Sequence, residues 1–193
     1  MLSAFRESPE QHPLKTPSGK IQLTSPTIDA FGYDDCPAHP VWLEPVEWLG
    51  AEEAKKHPLH LMSNQPDTRL HAQMDCGSVS AASKINGREP VTLNTQDAAA
   101  RGIRAGDVVR VFNDRGETLA GAILSDGVMP GVIRLATGAW YDPAEPGQIG
   151  TRDKHGNPHR LTPVPGASAL GQRAGVHATR GSGAWYVPAR PAR

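Results

Sequence analysis

Residues 107–125 read DVVRVFNDRGETLAGAILS, and this stretch decides the fold class. Asp107–Asn113 alternates apolar and polar side chains, a pattern typical of a strand with one buried face. The next three residues, Asp114–Gly116, have the composition of a tight turn. Glu117–Ser125 then runs back along the first strand, so the whole stretch predicts a β-hairpin.

Further short elements flank the hairpin on both sides. Strands are predicted over Leu59–Met62, Val91–Asn94 and Val132–Ala136. A short helix is predicted over Thr95–Gly102, with Thr95 as its N-terminal cap and Gly102 in the left-handed conformation that ends it. Another is predicted over Pro45–Lys56. Short strands, tight turns and small helices indicate a mainly β domain, most simply a β-barrel, because a doubly wound sheet needs longer alternating helices.

The chain divides into three parts by composition. Prolines recur at positions 9, 13, 17, 26, 37, 40 and 45, and each restricts the residue before it to extended conformations. We therefore expect residues 1–56 to form an extended Pro-rich arm, the remnant of a preceding domain. Residues 57–172 carry the barrel pattern. Residues 173–193 are rich in Gly, Ala, Arg and Pro, and we expect them to be disordered.

Composition excludes several classes of function. The 193 residues carry 20 basic and 20 acidic side chains, and no basic stripe with interleaved aromatics suggests nucleic acid. The longest apolar runs are only strand-sized, so no membrane span is predicted. Cys36 and Cys76 lack the clustered spacing of a zinc or iron–sulfur site, and we expect two ordinary buried thiols. Neither a metal site nor a nucleophile–base pair can be proposed from spacing.

The segment Ser63–Gln73 concentrates amide, hydroxyl, guanidinium and imidazole groups directly after a predicted strand. Such a mixture suits a ligand with phosphate and a purine base, because arginine offers forked donors to phosphate and amides can pair with base edges. A solvated loop with an incidental histidine explains the same composition. Composition alone favours the loop.

Two further segments are equally ambiguous. Asn113–Gly116 is a good hairpin turn, and turn chemistry alone accounts for it, although the Asp114 carboxylate could accept hydrogen bonds from a guanine edge. Trp140 and Tyr141 are adjacent aromatics after a predicted strand. They could line a pocket for a flat heterocycle, or they could seal one end of the barrel.

Taken together, these segments resemble the C-terminal part of the dimethyl sulfoxide reductase family. Within it, the chain is most similar to the branch of trimethylamine N-oxide, dimethyl sulfoxide and biotin sulfoxide reductases. The matching stretches lie in the family's order and span about residues 5–172. They are Thr16–Ile21, Phe31–Pro37, Trp42–Pro45, His57–Leu61, Arg69–Gln73, Gly87–Pro90, Asp97–Ile103, Val111–Gly116 and Gly138–Pro143.

The resemblance implies a six-stranded double-psi β-barrel of the aspartate-decarboxylase type, as the last domain of a larger reductase. In the family this domain binds and covers the bis-(molybdopterin guanine dinucleotide) molybdenum cofactor. The positions implied to contact the cofactor are Ser63, Asn64, Gln65, Arg69, Leu70, His71, Gln73, Asn113, Asp114, Arg115, Trp140, Tyr141, Asn157 and Gln172. No catalytic residue and no metal ligand is implied, because the family's molybdenum-ligating serine lies far upstream of the matching stretches.

The resemblance also implies what the chain needs in order to act. The family moves an oxygen atom from an N-oxide or sulfoxide to molybdenum, so the partners expected are the remaining reductase domains, with no nucleic acid or membrane. The chain alone is expected to be inactive. Alternatives are a stand-alone barrel that binds a nucleotide or assists assembly, and a separately encoded subunit that works in trans. The choice of substrate, and of bacterial periplasm or cytoplasm, stays open.

Two departures from the family pattern stand near the end of the chain. His159 occupies a position where the branch usually has a second asparagine, which weakens the case for one cofactor contact. The stretch Gly166–Arg173 only partly follows the family's ending. Beyond it, the acidic, Val-rich final strand of the family is replaced by Ala174–Arg193, which suggests a reading-frame change or a truncated gene.

Overall fold

A computed structural model describes residues 2–44 and 47–162 of the chain. These two ranges fall in two separate compact units. Predictions for Gln172 and for the tail at 173–193 lie outside the described residues. So do Pro45 and Val46, at the start of a predicted helix.

Over residues 2–44, the first unit contains two short helices, α1 (Ser3–Glu7) and α2 (Pro26–Asp29). Helix α2 begins where Ser25 Oγ accepts the N–H of Ile28 at 3.4 Å, and a proline at the first helical position suits the helical φ angle. The expectation of an arm that is extended throughout is therefore not confirmed. The remainder of residues 2–44 consists of turns and irregular backbone.

The second unit is built on one five-stranded mixed sheet. Its strands are β1 (His60–Met62), β2 (Pro90–Leu93), β3 (Val108–Asn113), β4 (Gly116–Leu124) and β5 (Val132–Leu135), in the order β1-β5-β2-β4-β3. Strands β3 and β4 form the predicted hairpin, in which Asn113 faces Gly116 across a two-residue loop. Strand β1 pairs parallel with β5, and β2 pairs parallel with β4 and antiparallel with β5.

A single hydrophobic core lies against this sheet. Its fully buried members include Leu59, Val91, Val109, Val111, Ile133, Leu135 and Leu161. Three successive residues of β2, Val91, Thr92 and Leu93, are all buried, as expected for a central strand that is covered on both faces. The mainly β class with short helices is confirmed. The described residues supply five strands, and the double-psi connection of six strands stays a prediction.

The helices of the second unit differ in detail from the sequence predictions. They are α3 (Glu53–Lys56), α4 (Ser78–Ser83) and α5 (Thr95–Ala99). The predicted helix over Pro45–Lys56 is thus shorter, and α4 was not predicted. The cap of α5 is Asn94 rather than Thr95, since Asn94 Oδ1 accepts the N–H of Gln96 at 2.8 Å.

The remaining local predictions have mixed outcomes. Gly102 takes the predicted left-handed conformation, with φ of +66°. The expectation of two buried thiols is wrong, because Cys76 is exposed and Cys36 is only half-buried. Within the part of the chain that the structure describes, no helix is long and apolar enough to cross a bilayer.

Candidate functional site

Beside a smaller cavity of about 160 Å³, the described residues of the second unit line a larger cavity of about 530 Å³. Its walls are His71 and Ala72, the run Thr137–Tyr141, and the pair Asn157 and His159. Four of the positions that the resemblance implies as cofactor contacts therefore meet here: His71, Trp140, Tyr141 and Asn157. They come from three segments that are distant in sequence, so the fold, and not a local motif, brings them together.

The first wall belongs to the loop that follows β1. The Gln65 side chain contacts both the ring and the backbone of His71. Its Nε2 lies 2.8 Å from His71 Nδ1, and its Oε1 accepts the His71 backbone N–H at 3.2 Å. His71 has φ of +49°, a left-handed conformation that a residue with a Cβ adopts only when its surroundings impose it. Specific contacts therefore fix His71 within this loop, although most residues of Ser63–Gln73 are exposed.

The second wall is the segment that follows β5, and it touches the first wall directly. Gly138 has φ of +88°, and a Cβ atom there would overlap the carbonyl group of His71. The indole Nε1 of Trp140 donates to the carbonyl oxygen of Ala72 at 2.8 Å. Only glycine at position 138 allows the two backbones to approach this closely.

Beneath the two walls lie four buried charged side chains, called here the charge cluster: Arg69, Asp75, Lys84 and Glu89. None of their side chains is more than 4% exposed. Lys84 Nζ lies 2.6 Å from Asp75 Oδ1 and 2.5 Å from Glu89 Oε2, and Arg69 Nη2 lies 3.0 Å from Glu89 Oε2. Two cations face two carboxylates, so no buried charge is left unpaired.

The charge cluster holds the backbone of both cavity walls. Arg69 Nε donates to the carbonyl oxygen of His71 at 3.1 Å, and its Nη2 donates to that of Thr137 at 3.0 Å. Asp75 Oδ2 accepts the backbone N–H of Trp140 at 2.9 Å. The Arg69 guanidinium is thus engaged within the chain and lines neither cavity, and its proposed contact with a ligand phosphate stays a prediction.

The pKa of Asp75 reflects these contacts. Burial alone would raise the pKa, but the hydrogen bonds from Lys84 and from the Trp140 amide, with the positive charges of Lys84 and Arg69, lower it below its ordinary value. His155 Nε2 also lies 3.1 Å from Asp75 Oδ2. Asp75 is therefore held as a carboxylate inside the domain.

The third wall depends on a second buried carboxylate, Asp153. Its Oδ2 accepts hydrogen bonds from Thr118 Oγ1 at 2.5 Å and from the amides of Gly156 and Asn157 at 2.9 and 2.8 Å. Asn157 in turn caps a 3-10 turn, Pro158–Arg160. This arrangement ties the end of the described chain to strand β4 and places Asn157 at the cavity.

The two aromatic residues of the cavity are partly open to solvent. Trp140 is 53% exposed and Tyr141 is 47% exposed, so both rings present apolar surface at the cavity. The guanidinium carbon of Arg160 lies 5.5 Å from the centroid of the Tyr141 ring. His159 stands at the position that departs from the family pattern. Its Nε2 lies 3.4 Å from Thr137 Oγ1.

The predicted turn residues Asn113, Asp114 and Arg115 lie in another set of contacts. The Asn113 side chain bonds the Arg115 amide at 2.9 Å and the carbonyl oxygen of Leu161 at 2.7 Å, and the Arg115 guanidinium makes a two-pronged ion pair with Glu47. A hydrogen bond from Lys56 at 2.5 Å lowers the pKa of the exposed Asp114. None of the three lines either cavity, and their contact with a cofactor stays a prediction.

The remaining predicted positions are spread over the loop after β1. Asn64 lines a smaller cavity of about 160 Å³, and its Oδ1 is a buried acceptor without a hydrogen-bond donor among the described residues. Leu70 and Gln73 are exposed and Ser63 is half-buried, and these three residues line neither cavity. Among the described residues, no group of three or more His, Cys, Asp or Glu side chains is arranged to hold a metal ion.

Residues 59–180 match the family model of the molydopterin dinucleotide binding domain. The chain belongs to this family. The match begins at the buried Leu59 before β1 and includes all three cavity walls. Together with the relatives below, it confirms the resemblance that the motifs indicated.

Relatives of this molydopterin dinucleotide binding domain are bacterial reductases. The chain is 51% identical over 168 residues to the dimethyl sulfoxide/trimethylamine N-oxide reductase of Cereibacter sphaeroides, covering 87% of this chain and 20% of that protein. It is 51% identical over 179 residues to trimethylamine-N-oxide reductase 1 of Escherichia coli strain K12, covering 91% and 21%. The chain thus spans about a fifth of the length of these relatives.

One solved structure has a fold similar to that of this chain. Acetylene hydratase from Pelobacter acetylenicus superimposes with a TM-score of 0.61, covering 82% of this chain and 22% of that protein. At 22% sequence identity this likeness concerns the fold alone.

Several residues that shape the site of this molydopterin dinucleotide binding domain were not predicted. They are Asp75, Lys84, Glu89, Thr137, Gly138 and Asp153. Charged residues are seldom fully buried, so a sequence pattern gives no signal for an internal charge cluster. A signal was present for Glu89 and Gly138, which lie within the family-like stretches Gly87–Pro90 and Gly138–Pro143, but neither residue was assigned a role.

Proposed function

We propose that this chain binds and covers a bis-(molybdopterin guanine dinucleotide) molybdenum cofactor, as the C-terminal part of an N-oxide or sulfoxide oxidoreductase. The proposed unit is a double-psi β-barrel over residues 57–172, with residues 1–56 belonging to the domain before it. One observation carries the proposal: four of the implied cofactor positions, His71, Trp140, Tyr141 and Asn157, line a single cavity. Membership of the family and the similarity to reductases support a molybdopterin dinucleotide as the ligand.

The residues present fit such a ligand. Guanine and pterin are flat heterocycles that carry N–H donors, and the half-exposed rings of Trp140 and Tyr141 offer an aromatic surface on which a heterocycle can stack. A volume of about 530 Å³ lies in the range of small-molecule sites.

The chain's own residues would bind the cofactor and orient it. The bound group would supply oxygen-atom transfer at molybdenum, while the protein tunes its surroundings. His71 and Asn157 place polar groups on opposite segments of the cavity, and Trp140 and Tyr141 exclude water from one side. No described residue is proposed to transfer a proton or to ligate the metal.

The experiment that tests the proposal is a titration of the full chain with guanosine 5′-diphosphate, followed by amide chemical shifts. We expect shifts concentrated at His71, Trp140, Tyr141 and Asn157. Trp140→Ala should weaken binding by about 5- to 150-fold, because stacking of a base on an aromatic ring is worth about 1–3 kcal/mol. Shifts scattered over the surface would contradict the proposal.

The control is Trp42→Ala, which removes an exposed indole from the first unit. Its affinity for guanosine 5′-diphosphate should equal that of the unaltered chain. An equal loss of affinity in both variants would mean that the nucleotide does not occupy the cavity. Adenosine 5′-diphosphate, which lacks the guanine edge, should bind more weakly than the guanosine form.

A further inference from the structure

We propose that Asp75 is the positioning residue of the larger cavity: its buried carboxylate fixes the wall that contains Trp140 against the wall that contains His71. The inference rests on the proposed function only where it concerns ligand affinity. The positioning itself follows from contacts among described residues.

The bond to the second wall is direct. Asp75 Oδ2 accepts the backbone N–H of Trp140 at 2.9 Å, so the carboxylate holds the main chain rather than the exposed ring. A carboxylate that accepts an amide N–H makes one of the stronger hydrogen bonds available to a backbone group. The indole then reaches across to the carbonyl oxygen of Ala72 at 2.8 Å. Fixing the amide of Trp140 therefore also fixes where its ring meets the first wall.

The connection to the first wall passes through Arg69. Its Nε lies 3.4 Å from Asp75 Oδ1 and donates to the carbonyl oxygen of His71 at 3.1 Å, while Nη2 donates to that of Thr137 at 3.0 Å. One guanidinium thus bonds both walls, and its position depends on the carboxylate beside it. The planar, rigid fork of arginine suits this bridging role.

The other groups around Asp75 set its charge. Lys84, Arg69 and His155 face its carboxylate, with Ser80 Oγ at 3.4 Å from Oδ1. Glu89 balances the remaining positive charge through its contacts with Lys84 and Arg69. None of the four charge-cluster side chains lines the larger cavity, so Asp75 acts through the walls and does not touch their occupant.

The test is amide hydrogen exchange of the full 193-residue chain carrying Asp75→Ala. We expect exchange at the Trp140 amide to accelerate by at least about tenfold, because its acceptor is gone and the wall opens locally. Amides of the central strand, such as those of Val91 and Leu93, should keep their rates. Unchanged exchange at Trp140, or equal acceleration at all amides, would overturn the proposal.

The matched control is Asp97→Ala. Like Asp75, Asp97 accepts a backbone N–H, from Gly131 at 2.6 Å, and pairs with an arginine, Arg101; its side chain is 15% exposed. It lines neither cavity. This variant should accelerate exchange at Gly131 and leave Trp140 unchanged. Acceleration at Trp140 in both variants would show a general loosening and count against a positioning role.

A second variant keeps the test informative if Asp75→Ala fails to fold. Asp75→Ala leaves the charge cluster with an unbalanced positive charge, whereas Asp75→Ala with Lys84→Met removes one charge of each sign and leaves Arg69 paired with Glu89. The double variant should show the same local acceleration at Trp140. Slow exchange at Trp140 in this variant would contradict the proposal as clearly as in the single one.

Binding of guanosine 5′-diphosphate separates this inference from the proposed function. We expect Asp75→Ala to raise the Kd by about tenfold, since the nucleotide must then order the walls itself, and Asp97→Ala to leave the Kd unchanged. If the unaltered chain binds no nucleotide, the proposed function fails while the exchange data still decide the role of Asp75. If the nucleotide binds and Asp75→Ala leaves both Kd and exchange unaltered, only the positioning role is lost.

Discussion

A Cβ atom on residue 138 would overlap the carbonyl group of His71, because Gly138 packs directly against the peptide that follows His71. Both residues have positive φ angles, of +88° and +49°. Glycine adopts such an angle without cost, whereas the angle of His71 is uncommon for a residue with a Cβ atom. The two residues meet where two walls of the cavity touch.

Gly138→Ala should destabilise the domain severely, by about 3 kcal/mol or more, because it adds steric overlap with a backbone group to an unfavourable φ angle. Urea denaturation followed by tryptophan fluorescence measures the free energy of unfolding.

Gly147→Ala is the matched control for this prediction. Gly147 has a similar φ of +84°, but a Cβ atom there would meet nothing within 4 Å. Its cost should be about 1–2 kcal/mol, from the backbone angle alone. Equal losses in the two variants would show that the close approach at Gly138 contributes nothing.

Asp153→Ala should lower the free energy of unfolding by about 3 kcal/mol or more, since it leaves a buried hydroxyl and several buried amide donors without an acceptor. Amide shifts should show that Asn157 and its 3-10 turn lose their order. Asp126→Ala is the comparison, because Asp126 is exposed and contacts Thr95 on the surface. That change should stay within about 0.5 kcal/mol. A small effect of Asp153→Ala would contradict the anchoring role.

The stability of the domain should depend on the ionisation of Asp75. The pKa of Asp75 is lower in the folded chain than its ordinary value, so its contribution is complete above the ordinary aspartate pKa of about 3.9 and is lost as the pH falls through the lowered value. The difference in free energy of unfolding between the unaltered chain and Asp75→Ala should therefore shrink on acidification below about pH 4. A difference that stays constant with pH would contradict this account.

Salt separates this effect from that of Asp114, whose pKa is also lowered, by a contact with Lys56. Asp114 is exposed, so about 1 M sodium chloride should abolish its contribution. The contribution of Asp75 should persist at that salt concentration, because its partners are buried with it.

The purified chain should not turn over trimethylamine N-oxide with a reduced viologen as electron donor. The proposed cofactor site is shared with other domains, and this chain spans about a fifth of the length of its reductase relatives. An intact relative assayed in parallel provides the positive control. Measurable turnover by the chain alone would contradict the proposal that the cofactor site is shared with other domains.

Short sequence patterns predicted those elements that form by contacts between residues close in sequence. The hairpin of β3 and β4 follows from alternation and turn residues within one short stretch, and the structure confirms it. The cap of α5 was misplaced by one residue, because Asn94 and Thr95 can both cap a helix and only tertiary contacts decide between them. Asn94 is the cap because its side-chain amide also donates to the carbonyl oxygen of Val128 at 2.7 Å.

The sequence indicated candidate site positions where aromatic or polar residues follow a strand, and it indicated none where charge is buried. Trp140 and Asn157 came from the family resemblance, and the structure places both at one cavity. The burial of Asp75 and Lys84 could not be predicted, because each is acceptable inside a protein only in the presence of the other. Their pairing depends on a tertiary arrangement that no periodicity encodes.

The parallel pairing of β1 with β5 sets an order of events during biosynthesis. Leu61 pairs with Ile133, so this register forms only after most of the domain has left the ribosome. Closing so long a loop is entropically costly and makes folding slow. The third wall comes later still, with Asn157. We therefore expect the cavity to be complete, and able to hold a ligand, only after Asn157 has left the ribosome.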